Sequence, residues 1–337
     1  MTVSVRDVAA AASVSVGTVS NVLNRPANVA PATVERVNDV IARLGFVRND
    51  AARQLRAGRS RSIGLIVLDV RNPFFTEVAR GAEQRAVEEG LAILLGNSDD
   101  SAQREGSYLD LFEQQRAHGV LISPLTDDLP RLARLRDHGT PVVLVDRQAP
   151  DGSFSSVAVD DVAGGYLALR HLGESGRTRV AFVGGPTSIR QVSDRLAGAR
   201  RAAAEMPDVS LEVIETEALT VLAGRAAGEG IRARPAAERP DAVFAANDLL
   251  AMGVLQAITM LGGLQVPNDI ALIGYDDIDF AASAVVPLSS IRQPAHAIGH
   301  TAVDLLLKEV AGGEDFEHEQ VVFQPELVVR DSTRSRR

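Results

Sequence analysis

The chain has no cysteine, only 4% aromatic residues and a single lysine, Lys308. Without cysteine there are no disulfides, thiol nucleophiles or thiolate metal sites, and nothing opposes a reducing compartment. With its one lysine far from the turn Gly184-Gly185-Pro186, the chain has no phosphate-gripping loop. No apolar run approaches the roughly 18 residues that a membrane helix needs. The start MTVSVRDVAA lacks the basic residues and apolar stretch of a secretory leader, so a cytoplasmic protein with no membrane partner is expected.

What is present is enough for two or three folding units: 337 residues, 45% of them hydrophobic. Charge divides them. Up to Arg61 nine arginines face four carboxylates, a net of +5, whereas the remainder carries −14. A small basic head on a large acidic body fits a module that meets a polyanion while the rest does not; a merely solvated arginine face is the plainer reading.

In the head, Ser4 and Asp7 have capping-box spacing for a helix over about 5–12, with Val5, Val8 and Ala9 inward. After a tight turn at Ser13 and Val14, Ser15 caps a second helix from Val16 to about Asn24. Its inward face is Val19, Val22 and Leu23, and its outward face is Val16, Gly17, Thr18, Ser20 and Asn21. Small outward residues let a helix sit deep in a major groove. A third helix, Pro31 to Leu44, is apolar at Val34, Val37, Ile41 and Leu44 and is closed by Gly45.

The stretches VRDVAAAASVSVGTVSNVLN, VERVNDVIARLGF and RNDAARQLRAGRSRSIGL resemble the headpiece and hinge of the lactose/galactose repressor (LacI/GalR) family. The resemblance implies that the second helix reads operator DNA with Val16, Gly17 and Asn21, and gives Ser15, Thr18, Ser20 and Asn24 as further DNA-binding candidates. It also implies that residues 50–57 form a hinge helix whose Leu55 wedges into the minor groove while Arg53 and Arg56 neutralise phosphates. Eight residues are too few for a stable isolated helix, so ordering on DNA as a pair is expected. The sequence departs from the family at Ser13, where a turn glycine is usual, at Gly17, which weakens the helix by about 1 kcal/mol relative to alanine, and at Ala30, which replaces a hydroxyl cap.

From Ser62 onward, ten buried-strand runs alternate with amphipathic helical stretches, from SIGLIVLDV to SSIRQP. This predicts parallel sheets with covered faces, divided between two lobes. The expected architecture is therefore an all-α helix-turn-helix headpiece (1–48), a hinge and linker (49–61) and a two-lobed, doubly wound α/β body (62–333). Ligands in such folds sit beyond the carboxyl ends of the strands. There the chain places Asn72, Phe74 and Phe75, then Asp146 and Arg147, Asn247 and Asp248, Asp276 and Asp277, and Gln293. Phenyl faces with carboxylate, guanidinium and amide groups suit a neutral polyol.

The body also resembles the periplasmic sugar-binding proteins, the ribose-binding member most closely. That resemblance carries sugar contacts onto Asn72, Phe74, Phe75, Asp146, Arg147, Arg195, Asn247, Asp276 and Gln293, with Leu219 where an aromatic contact is usual. Because Asp146 and Asp276 would repel a phosphate unless Arg147 and Arg195 outweighed them, an uncharged monosaccharide is expected, ribose first. Two alternatives remain: a sugar-binding protein without a DNA role, and a carbohydrate-acting enzyme. His296 and His300 have the spacing of half a zinc site but no third ligand, and Asp276, Asp277 and Asp279 fit neither a calcium loop nor a glycosidase pair well. The expectation is no catalysis, no metal and no cofactor. The partners are a palindromic operator, a sugar effector and a second copy of the chain; the tail DSTRSRR has no leucine heptads for a further tetramer.

Overall fold

A computed structural model of the chain describes residues 3–46, 60–126, 129–149, 151–260, 263–313 and 316–334. The chain divides into two compact units, Met1–Arg59 and Ser60–Arg337.

The first unit is a three-helix cluster: α1 (Val5–Ala11), α2 (Val16–Asn24) and α3 (Pro31–Leu44). Ser4 and Asp7 form a reciprocal capping box, and α1 ends one residue earlier than expected, with Ala12 as its C-cap. The turn after it is a Schellman motif: Val14 N–H donates to the Ala9 carbonyl and Ser13 N–H to that of Ala10. Ser13 holds the left-handed position at φ +55°, where glycine is ordinarily found. α3 closes through Gly45 at φ +62°. The core is Val8, Ala9, Ala12, Val19, Val22, Val37 and Val40. Val40, absent from the predicted face of α3, is fully buried, whereas Val34, Ile41 and Leu44 are half-buried at its margin.

In the second unit the ten expected strands form, joined by two more. Lobe 1 holds β1 (Ser62–Val67), β2 (Ala92–Asn97), β3 (Gly119–Ile122), β4 (Val142–Val145), β5 (Ser155–Val159) and β11 (Gln320–Phe323), in the order β11-β5-β4-β3-β1-β2. All its pairings are parallel. Lobe 2 holds β6 (Arg179–Val183), β7 (Ser210–Ile214), β8 (Ala242–Ala245), β9 (Ala271–Asp276), β10 (Ser289–Arg292) and β12 (Glu326–Val328), in the order β12-β10-β9-β8-β6-β7. Only β12 runs antiparallel, against β10.

The helices that cover lobe 1 are α4 (Pro73–Glu88), α5 (Ala102–Gln114), α6 (Pro130–Asp137) and, from the far end of the chain, α12 (Ala295–Gly312), packed on α4. Lobe 2 is covered by α7 (Asp161–Glu174), α8 (Arg190–Ala204), α9 (Val221–Ala233) and α10 (Asp248–Thr259), with the short α11 (Asp279–Ser283) after β9. The chain thus passes between the lobes three times, at residues 160, 293–294 and 324–325. Close helix contact in lobe 2 depends on glycine: a Cβ on Gly165 of α7 would overlap the Arg195 carbonyl of α8, and one on Gly198 would overlap that of Val162.

Candidate functional site

On α2, Ser15 accepts a hydrogen bond from Thr18 N–H at 3.0 Å, and its hydroxyl meets that of Thr18 at 2.9 Å. Asn24 turns back to the Ser20 carbonyl and hydroxyl. Those four polar candidates therefore brace the helix and its entry. Val16, at 43% exposure, together with Gly17 and Asn21 is left facing outward. Arg53, Leu55 and Arg56 lie outside the described residues.

In the second unit, a cavity of about 50 Å³ lies between the two lobes. Asn72, Phe74, Phe75, Asp146, Arg195, Asn247 and Asp276 all line it. Phe74 and Phe75, at the start of α4, meet edge to face with centroids 5.1 Å apart and form an apolar wall. Leu219 and Ile189 contribute apolar surface from lobe 2.

The two carboxylates are delivered in the same way. Asp146 follows β4 at φ +57°, and Asp276 ends β9 at φ +103°. This backbone region is rare for side chains other than Asn and Asp. Each carboxylate is held by an amide from the opposite lobe: Asn72 Nδ2 donates to Asp276 Oδ2 at 2.9 Å, and Gln191 Nε2 donates to Asp146 Oδ2 at 2.9 Å and to its carbonyl at 2.8 Å. Asp146 Oδ1 is buried with no donor among the described residues.

Arg195 is the buried counter-charge. Its Nε donates to Asp161 Oδ1 at 2.8 Å, its Nη1 donates to the Ala246 carbonyl at 2.8 Å and lies 3.8 Å from Asp276, and its guanidinium stacks 3.7 Å above the Tyr275 ring. Burial opposes its charge, yet Asp161, Tyr275, Asp276 and Asp146 together hold its pKa above the ordinary arginine value. Burial, the largest influence on all three carboxyls, pushes Asp146 well above the usual range and raises Asp161 and Asp276, with Arg195 pulling each back.

Two predicted residues stand behind the lining. Arg147 is buried against the Pro124 carbonyl at 2.9 Å, and burial lowers its pKa. Gln293, on an interlobe crossing, donates to Asp276 Oδ1 at 2.7 Å. Asn247 caps α10 through Leu250 N–H and donates to the Leu219 carbonyl. Asp248 is turned away from the cavity, accepting from Ser290 Oγ and Ile278 N–H, and so braces the turn that carries Asp276.

Sequence reasoning missed Gln191, Asp69, Arg71 and Asp100 in the lining, and Asp161, which holds Arg195. Gln191 lies one helical turn before Arg195, a spacing that could have singled it out. His296 and His300 are engaged with Gln84 and Asp304, and no group of three metal-ligating side chains occurs among the described residues.

One chain thus carries a three-helix unit and a two-lobed body whose strand ends meet across a cleft. Residues 4–49 match the bacterial regulatory proteins of the lacI family, and residues 169–333 match the periplasmic binding protein-like domain. The chain belongs to the LacI family. The HTH-type transcriptional repressor PurR of Aliivibrio fischeri (strain MJ11) is 34% identical over 340 residues, covering 98% of each chain. The Lac repressor dimer bound to operator and the anti-inducer ONPF is similar with TM-score 0.85 and 25% identity, over 99% of this chain and 100% of that one. A LacI family transcriptional regulator from Enterococcus faecium with bound ribose has TM-score 0.72 and 27% identity, over 80% of this chain and 98% of that one. These relatives are regulators, not enzymes.

Proposed function

We propose that this protein is a cytoplasmic, sequence-specific transcriptional repressor that binds a palindromic operator as a homodimer and is controlled by a small neutral sugar, ribose first. The observation that carries the sugar reading is the cleft. Two buried carboxylates, one with an acceptor oxygen to spare, face a phenyl wall. A polyol supplies both hydroxyl donors and C–H surface to such a site. Three buried carboxylates around Arg195, with Arg147 held behind the lining by the Pro124 carbonyl, disfavour a sugar phosphate.

DNA reading is assigned to the outward residues of α2, with Arg53, Leu55 and Arg56 completing the contact. A dimer is supported by the named Lac repressor dimer and by apolar surface left exposed on each lobe: Leu94 and Leu95 on edge strand β2, Phe280 and Val285 near α11. Sugar binding alters how the lobes meet, and that change reaches the hinge. Linkage makes the effect reciprocal: a sugar that weakens operator binding tenfold, about 1.4 kcal/mol of coupling, is itself bound tenfold more weakly on DNA.

The test is fluorescence anisotropy on a labelled operator fragment, titrated with common pentoses and hexoses. Operator affinity should change with one of them, and Leu55→Ala should loosen operator binding with sugar affinity nearly intact. No response to any small molecule would overturn the regulatory reading.

A further inference from the structure

Two crossed amide–carboxylate contacts bridge the cleft, and one of them uses a residue with no sugar-binding role assigned above. We propose that Gln191 is a positioning residue that senses closure: reaching from α8 of lobe 2, it fixes Asp146 of lobe 1 so that the unpartnered Oδ1 faces the effector only when the lobes are together. This rests on the reading of the cleft as the sugar site.

The geometry is specific. One Nε2 group reaches both the Asp146 carbonyl and its Oδ2, at 2.8 and 2.9 Å. Both acceptors point the same way because Asp146 adopts the left-handed backbone region while its N–H stays in the sheet, donating to the Val157 carbonyl at 2.8 Å. With Oδ2 engaged, Oδ1 is the carboxylate oxygen left without a donor among the described residues, on a residue that lines the cavity. The Asp146 carboxylate is therefore oriented by the opposite lobe. In an open cleft nothing described on lobe 1 donates to its side chain. The reciprocal contact, Asn72 to Asp276, differs because Gln293 also holds Asp276 at an interlobe crossing. Asp146 thus depends on Gln191 alone among the described side chains. The charged groups around it are Asp161, Asp276 and Arg195, and of these contacts only Arg195 and the Gln191 hydrogen bond favour its ionised form.

The cysteine-free sequence allows the test in the full chain without background labelling. Spin labels on Ser107→Cys in α5 and Ala226→Cys in α9 report the interlobe distance without ligand. Gln191→Met keeps the length of the side chain but has no donor, and should lengthen and broaden the distance distribution. Gln191→Glu sets a second carboxylate against Asp146; it should open the lobes at about pH 8 and let them close again at about pH 5, where the pair can share a proton. Unchanged distances in both variants would overturn the proposal.

In parallel, wild type is titrated with D-ribose and then the other pentoses and hexoses, and a sugar that binds is titrated into Gln191→Met. Binding should weaken about tenfold or more. Its acid limb should move to higher pH, since Asp146 loses a contact that favours ionisation. Wild-type affinity with an unshifted pH profile would overturn the positioning role and leave the sugar reading standing. Failure of wild type to bind any sugar would overturn the sugar reading, and the interlobe distances would still decide whether Gln191 governs closure.

Discussion

Replacing Arg195 by methionine should damage the fold more than the loss of one sugar contact implies. The side chain is 5% exposed and serves Asp161, the Ala246 carbonyl, Asp276 and the Tyr275 ring at once. Removing one partner from a buried ion pair costs about 3–5 kcal/mol, because the remaining charge stays desolvated. Here Asp146, Asp161 and Asp276 all lose their attractive neighbour.

The dependence on pH follows from direction. Asp161 and Asp276 are already raised by burial, so between the ordinary aspartate value and these raised values the folded chain retains protons that the unfolded chain has released. Without the guanidinium both rise further. The destabilisation is then greatest above these raised values and shrinks as pH falls toward about 4, the ordinary aspartate value, below which both states become protonated. Urea unfolding followed by circular dichroism at about pH 8 and about pH 5 measures this directly, and Asp161→Asn in the same background should restore part of the loss at the higher pH. A cost under about 1 kcal/mol, or one equal at both pH values, would refute the reasoning.

Ser13→Gly should raise the melting temperature of the helical unit, relieving about 1 kcal/mol of left-handed strain; a lower melting temperature would contradict the Schellman reading. Gly165→Ala should force α7 from α8, cost about 1–3 kcal/mol and weaken sugar binding through displacement of Arg195, measured by calorimetry beside a melt. Glu309 is buried on α12, its Oε2 has no hydrogen-bond donor among the described residues, and burial lifts its pKa to about 7 against the pull of Arg136 and Val142 N–H. Its ionisation penalty grows as pH rises from about 4.5 through 7, so Glu309→Gln should stabilise by up to about 3 kcal/mol at about pH 8 and by little at about pH 5. Equal stability changes at both pH values would count against this.

What could be read beforehand was what is decided locally. The bounds of α2 and α3 follow from Ser15, Pro31 and Gly45, whose capping and turn chemistry act within a few residues. The eight interior strands among the ten expected show as apolar runs because parallel sheets bury both faces, whereas β2 and β7 lie at sheet edges and are partly exposed. β11 and β12 were not foreseen: Gln320–Phe323 and Glu326–Val328 are short and partly exposed, and become strands by pairing with Ser156–Val159 and Ser290–Arg292. The same boundary divides the cleft. Asn72, Asp146 and Asp276 are visible at strand ends, whereas RQVSDRLAGARRAAA reads as a solvated amphipathic helix: Arg195 was placed there by resemblance alone, and Gln191 is not legible until Asp146 is known to face it. Val40 was missed because the face of a small three-helix cluster is set by its neighbours rather than by periodicity alone.

The threefold passage of the chain between lobes bears on how the body is synthesised. A nascent polypeptide that had emerged only as far as Arg292 would hold five of the six strands of each sheet, and lobe 1 would still lack α12. Neither half is a continuous segment that can mature while the other is being translated, since β11 and β12 both come from the last stretch of the message. The ribosome must deliver nearly all of the coding sequence before either face of the cleft is whole, so a prematurely terminated product could not present a finished binding surface.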